Sequence, residues 1–250
     1  MKTRTIQLTI KYNGGSFSGY ELQVNKVTVR EEIEKALCEI FGRKIGLKTV
    51  SRTDSGVSAI DNKVYFSVAT NIPVKKIPFA LNSVLPFGLR VIKAQVVTKN
   101  PSPKAKEYEY LVYNGLILDP LYLPFVWHIK FPLDLKKINI ASKLLQGKHN
   151  FKAFSHKLGQ SKNNNKHIHK ITIQRRKIIL WQNSQLSVVS FKFRGDGFLY
   201  KMIRILVGTL VDVGLGKIDP SDMINILNAK QRRLAGRTAP AHGLCLIKVV

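Results

Sequence analysis

The hydrophobic pattern of this 250-residue chain changes period in the same order twice, and that repeated order limits its fold more than any other feature. Ile6, Leu8, Ile10 and Tyr12 alternate with polar residues, the period-two signature of a half-buried strand over roughly 4–12. After a glycine-bearing loop (13–25), Thr28 and Glu31 stand in capping-box spacing. Val29, Ile33, Ala36, Leu37, Ile40 and Phe41 then fall on one helical face. Strands are predicted near 45–51 and 62–69, a short helix over 74–84 with Pro78 in its first turn, and a strand near 89–97. The second half repeats the order. It gives a strand at 106–113, a helix at 134–146 between Asp134 and Gly147, strands near 168–180 and 186–194, and a helix over about 198–213. A further helix starts at Asp219-Pro220 and runs to about 229, and the last strand is 244–249.

Two successive β-α-β-β-α-β runs predict an α+β protein of two ferredoxin-like halves, each an antiparallel sheet with helices on one face. The halves divide into residues 1–101 and 102–250, with a catalytic cleft expected between them. Residues 156–170, HKLGQSKNNNKHIHK, carry no periodicity and read as a solvated polar loop whose lysines suit contact with phosphate.

Charge narrows the partner. Lys and Arg number 41 against 15 Asp and Glu, a formal net charge of +26. Self-repulsion of that size weakens a compact fold unless a polyanion relieves it, so a nucleic acid is the expected partner. A lysine-rich coding bias supplies part of the excess but does not account for the scarcity of acids. Cys38 and Cys245 lie far apart and outside any CxxC pair, which argues against a zinc site or a disulfide framework and suits a reducing cytoplasm. The first residues, MKTRTIQLTIKYNG, have no apolar run of the secretory kind, and no stretch is long and apolar enough to span a membrane. A soluble, cytoplasmic, nucleic-acid-binding protein is expected.

Few motifs carry chemistry. His167 and His169 would share a face of a strand, but no acid or cysteine lies nearby to complete a metal site. The serine-hydrolase elbow and the P-loop lysine pattern are absent, and Asp196 between Gly195 and Gly197 reads as a turn residue. The segment SRTDSGVSA (51–59) differs. Asp54 falls in a polar turn between two strands, with Arg52 two residues before it and Gly56 two after. Alone, such an aspartate makes an Asx-turn with its neighbours. On the strand 106–113 Tyr108 and Tyr110 share a face as core or sheet aromatics would. Arg204 sits on the polar side of its helix and reads as solvated, and Leu244 starts an apolar strand.

SRTDSGVSA resembles the signature of the TruA family of tRNA pseudouridine synthases, an Arg-Thr-Asp-x-Gly-Val run. Six further segments are similar to that family's blocks in the same order: KYNGGSFSGYELQ (11–23), ALNSVLP (80–86), AKEYEYLVYN (105–114), GKHNFKAFS (147–155), GFLYKMIRILVGTLVDVGLGK (197–217) and RTAPAHGLCL (237–246). The resemblance implies that Asp54 is the nucleophile, that Tyr108 packs on the target uracil and acts as general base, and that Arg204 pairs with the Asp54 carboxylate. It also implies that Arg52 helps extrude the nucleotide and that Leu244 contributes an apolar wall. Isomerising uridine involves no redox change and no net group transfer, so no cofactor is expected. tRNA is the implied partner, with no DNA and no membrane, and bacterial members pair as homodimers.

The sequence departs from the family pattern in places. Tyr20 stands where relatives carry Trp or Phe, Glu21 where Gln is common, and Ser58 where bacterial members have His. IDNKV follows Ala59 in place of the commoner Gly-Gln-Val, and Lys104 replaces an arginine expected before Tyr108. These changes bear on which uridines are chosen. The leading expectation is therefore a synthase acting in the tRNA anticodon stem-loop, at tRNA positions 38–40. A non-catalytic RNA-binding or chaperone protein on the same fold fits the charge equally well but has no use for Asp54, Tyr108 and Arg204 together. A synthase of broader RNA site specificity is the third reading.

Overall fold

The computed structural model describes residues 3–98, 103–156, 163–181 and 184–250. It divides into two compact units, one of Met1–Lys104 with Cys245–Val250, the other of Ala105–Leu244. Both mix helices with mostly antiparallel strands, so the fold is α+β.

In the first unit β1 (Arg4–Tyr12) lies between β3 (Ser58–Val68) and β4 (Leu89–Val97), antiparallel to both. The other edge of β3 is shared by two short partners. β2 (Lys48–Thr49) pairs antiparallel at its Val64–Tyr65 end, and β10 (Leu244–Val249) pairs parallel at Ser58–Ala59. Alternation works here as predicted: Ile6, Leu8, Ile10 and Tyr12 are buried. Helix α1 (Val29–Phe41) starts where Thr28 Oγ1 accepts the Glu31 amide at 3.3 Å and ends at Gly42 in the left-handed region. It buries Val29, Ile33, Ala36 and Leu37, the face its 3.6-residue period marks. The short helix α2 (Ile77–Asn82) holds Pro78 in its first turn, where the missing N–H costs nothing.

In the second unit β5 (Lys106–Asn114), β9 (Ser184–Gly195), β8 (Asn165–Trp181) and β7 (Gly147–Asn150) form an antiparallel run in that order, and β6 (Trp127–Ile129) pairs parallel to β5. Helix α3 (Leu135–Lys143) is capped by Asp134, which accepts the amides of Lys136 and Lys137. Helix α4 (Met202–Gly214) is buried on nearly every side, and α5 (Asp222–Ala229) follows.

Two sequence readings change. The polar run at 156–170 is a loop only in part, because 165–170 open β8 and pair with β7. Residues 157–162 of that run lie outside the described residues. Strand β3 also starts earlier than expected, at Ser58 rather than 62. In both places long-range pairing overrides local polarity. Among the described residues no helix is long and apolar enough to cross a membrane.

Candidate active site

The loop that carries Asp54 runs from β2 to β3 and is pinned from below by buried polar groups. Asn62, fully buried on β3, donates to the Ser51 carbonyl at 2.9 Å and to the Tyr12 phenol oxygen at 3.3 Å. That phenol stands 2.8 Å from Thr53 Oγ1. Buried amides and hydroxyls are costly unless paired, so this network holds the loop to the sheet in one arrangement. From the other side the Tyr20 amide donates to the Thr53 carbonyl at 3.1 Å, and the Val57 amide closes the turn on the Asp54 carbonyl at 3.1 Å. Gly14 donates to Ser58 Oγ at 3.0 Å and lies so close to the Gly56–Val57 backbone that a Cβ there would collide with it. Asp54 itself is half-buried, between exposed Arg52 and exposed Ser55.

Arg52 heads a row of alternating charges. Its Nε lies 2.9 Å from Glu21 Oε1, while Glu21 Oε2 accepts from Arg30 at 3.0 Å and Arg30 donates to Glu34 at 2.9 Å. The Arg52 side chain is 73% exposed, so the ion pair orients it more than it stabilises the fold. Beside this row burial pushes the Tyr20 phenol up to about 12, with the Thr49 hydroxyl opposing the shift.

Tyr108 and Tyr110 share one face of β5 and both are buried. The Tyr108 ring meets Phe198 edge-on at 5.4 Å, and Tyr110 meets Trp127 in the same manner at 6.3 Å. The Tyr110 phenol donates to the Pro240 carbonyl at 2.8 Å. Burial raises its pKa far above the ordinary tyrosine range against the opposing charge of Arg204, so Tyr110 remains a neutral donor.

Arg204 is not a solvated helix residue, and here the sequence reading is corrected. Its Nε donates to the Ala239 carbonyl at 2.8 Å, and the Ala239 amide donates back to the Arg204 carbonyl at 3.0 Å. The segment 235–243 straps that side of α4. The Gly236 amide donates to Thr209 Oγ1 at 2.9 Å, Arg237 pairs with Asp212 at 3.0 Å, and the Arg237 carbonyl lies directly on Gly208. The sequence held a signal for the burial of α4 but not for what covers Arg204: Ile203, Ile205, Leu206, Val207, Leu210 and Val211 leave the helix apolar nearly all round. Leu244, buried, is the last residue of the second unit and opens β10.

The residues that fix the Asp54 loop, Tyr12 and Asn62, were not among the candidates. A lone Asn inside an alternating strand was the available signal. His167 and His169 do share β8, with rings 4.5 Å apart, and among the described residues no group of three metal-binding side chains forms. Asp196 serves its turn, accepting the His167 amide at 3.2 Å.

Comparison with known proteins gives the following. A family profile described as tRNA pseudouridine synthase matches residues 141–250. The tRNA pseudouridine synthase A of Thermoanaerobacter sp. (strain X514) is 36% identical over 251 residues, 99% of each chain. That of Bacillus licheniformis is 38% identical over 251 residues, and that of Bacillus subtilis (strain 168) 35% over 250, each covering 98% of both chains. Among solved structures, the archaeal box H/ACA sRNP Nop10-Cbf5 complex matches at 12% identity over 82% of this chain and 44% of that one. Its TM-score of 0.35 is too low to bear on fold or function.

Proposed function

The chain belongs to the tRNA pseudouridine synthase A family and is an isomerase; from that premise we propose that it converts uridine to pseudouridine in the tRNA anticodon stem-loop, at tRNA positions 38–40, with Asp54 as nucleophile. The observation that carries the reading is the match to such enzymes along almost the whole chain. The reaction breaks the N-glycosidic bond, turns the uracil and joins its C5 to the same ribose carbon, with the C5 hydrogen released as a proton. Nothing is oxidised and no group is lost, so side chains suffice.

Each role has a physical reason. A carboxylate must be ionised to attack, and Arg204 is assigned as the cation that favours that form. Tyr108, its ring steadied by Phe198, is the aromatic wall for the uracil and its general base. A base inside a stem cannot reach a nucleophile, so the nucleotide is flipped, with Arg52 assigned to extrude it and Leu244 to wall the pocket. The pinned loop under Asp54 supports the reading, because a nucleophile held in place spares the reaction an ordering step. The order β4-β1-β3-β2 supports a ferredoxin-like first half, and β5-β9-β8 is consistent with a second. A cytoplasmic location and pairing as a homodimer are part of the same proposal, and resemblance to the family is their only support.

Tritium release from tRNA labelled at uracil C5 tests the chemistry, since the new carbon–carbon bond expels that hydrogen. Asp54→Asn is isosteric and uncharged. It is expected to release none while binding tRNA within about twofold of the parent. Pseudouridine formed by the variant would sink the assignment of Asp54. Mapping pseudouridine in cellular tRNA with and without the protein tests positions 38–40.

A further inference from the structure

Phe87 is 93% exposed, more than any other large apolar side chain among the described residues. It sits in the turn Pro86-Phe87-Gly88 ahead of β4, and the turn is stiff. The Arg90 guanidinium lies 5.6 Å from the Phe87 ring centroid, over its face. Arg90 is in turn fixed by its own turn, donating to the carbonyls of Pro86 at 2.7 Å and Leu89 at 2.6 Å. One face of the ring therefore rests on a held cation. A cation so placed strengthens the ring's hold on a further π-system, and a platform ordered beforehand loses little entropy on binding.

The turn also has an informative position. Leu89 on β4, Tyr12 on β1 and Ala59 on β3 stand in one row across the first unit's sheet. Two strand spacings separate Leu89 from Ala59, about 10 Å. β3 and β4 both run antiparallel to β1, so the segments leading into them, with Asp54 and Phe87, leave the same end of the sheet. One loop touches both: the Asn13 amide donates to the Gly88 carbonyl at 2.9 Å, and Gly14 abuts Gly56 and Val57. Exposed Lys11, opposite Arg90 in register, and exposed Lys93 add positive charge on this edge.

We infer that Phe87, backed by Arg90, is a stacking platform for an unpaired base of the tRNA that lies beside the target uridine. It rests on the reading of the chain as a tRNA pseudouridine synthase with Asp54 as nucleophile. Every base has a π-face, so such a platform positions the loop without reading its sequence. The occupant is a nucleobase and not a protein side chain, because the surrounding charge is positive and the net charge is +26.

The test combines kinetics with a binding signal on an anticodon stem-loop RNA. Phe87→Ala is expected to raise KM for tRNA roughly five- to a hundredfold, the worth of one stacked base, with kcat held. Phe87→Trp restores KM and Phe87→Leu does not, since the platform needs a π-face and not mere bulk. With 2-aminopurine placed in turn at each unpaired position flanking the target, binding quenches fluorescence at one position, and Phe87→Ala loses that quench. An unchanged KM in Phe87→Ala, or full restoration by Phe87→Leu, overturns the platform while wild-type tritium release leaves the catalytic reading standing. A wild-type protein that quenches the probe but releases no tritium overturns the catalytic reading and keeps the platform. Thermal melting of Phe87→Ala at the parent temperature excludes unfolding as the cause.

Discussion

Tyr20 is 1% exposed, and burial pushes its phenol from an ordinary 10.0 up to about 12. The folded chain keeps that proton over an interval in which the unfolded chain releases it. The stability involved is fully present below pH 10 and is lost as pH rises through about 12. The shift corresponds to roughly 3 kcal/mol. Tyr20→Phe keeps the ring and removes the titration, so urea melts from pH 9 to 12 should show a shallower alkaline loss of stability than the parent. An identical loss in both proteins would contradict it. Burial also raises the Tyr65 and Tyr110 phenols, so some alkaline loss persists in the variant. At this scale the sequence was uneven. Asp54 could be picked out through its neighbours Arg52, Thr53 and Gly56. The enclosure of Arg204 could not, because the carbonyl it holds belongs to Ala239, far along the chain.

Helix α4 shows how an element answers to its surroundings. On propensity alone Gly208→Ala should favour the helix by up to about 1 kcal/mol. The Arg237 carbonyl occupies the space a Cβ needs, so the substitution must push the strap away or shift the helix. We expect Gly208→Ala to destabilise the protein by about 1–3 kcal/mol in urea unfolding, the opposite of the propensity effect. A stabilised variant would mean that the strap yields freely. Elsewhere the elements follow local rules closely. Thr28 and Asp134 cap α1 and α3 where the sequence placed those starts, and the alternation of β1 gives its buried face directly. The misses lie where a partner decides. Asn165–Lys170 is polar enough to be a loop, yet a ladder to β7 satisfies its backbone and makes it strand.

For the molecule as a whole, charge has the clearest consequence. With 41 basic and 15 acidic residues, phosphate neutralisation should dominate tRNA affinity. Binding measured between ~50 and ~200 mM salt is expected to weaken at least roughly tenfold, on a straight line in log–log form. Affinity indifferent to salt would refute a phosphate-led grip. The sequence by itself determined the long strands and helices, though not the short β6 and β7, along with the buried face of β1, the basic charge and the loop that bears Asp54. Each of these is written in contiguous residues, through a period, a cap or a composition. Tertiary structure alone decided that β10, last in the chain, pairs parallel with β3, and that Cys245–Val250 group with residues 1–104. It likewise decided that 235–243 encloses Arg204, and that Tyr12 and Asn62 pin the loop under Asp54. These are choices of partner between distant segments. They follow from where unsatisfied backbone and buried polar groups find one another, which no local window of sequence records.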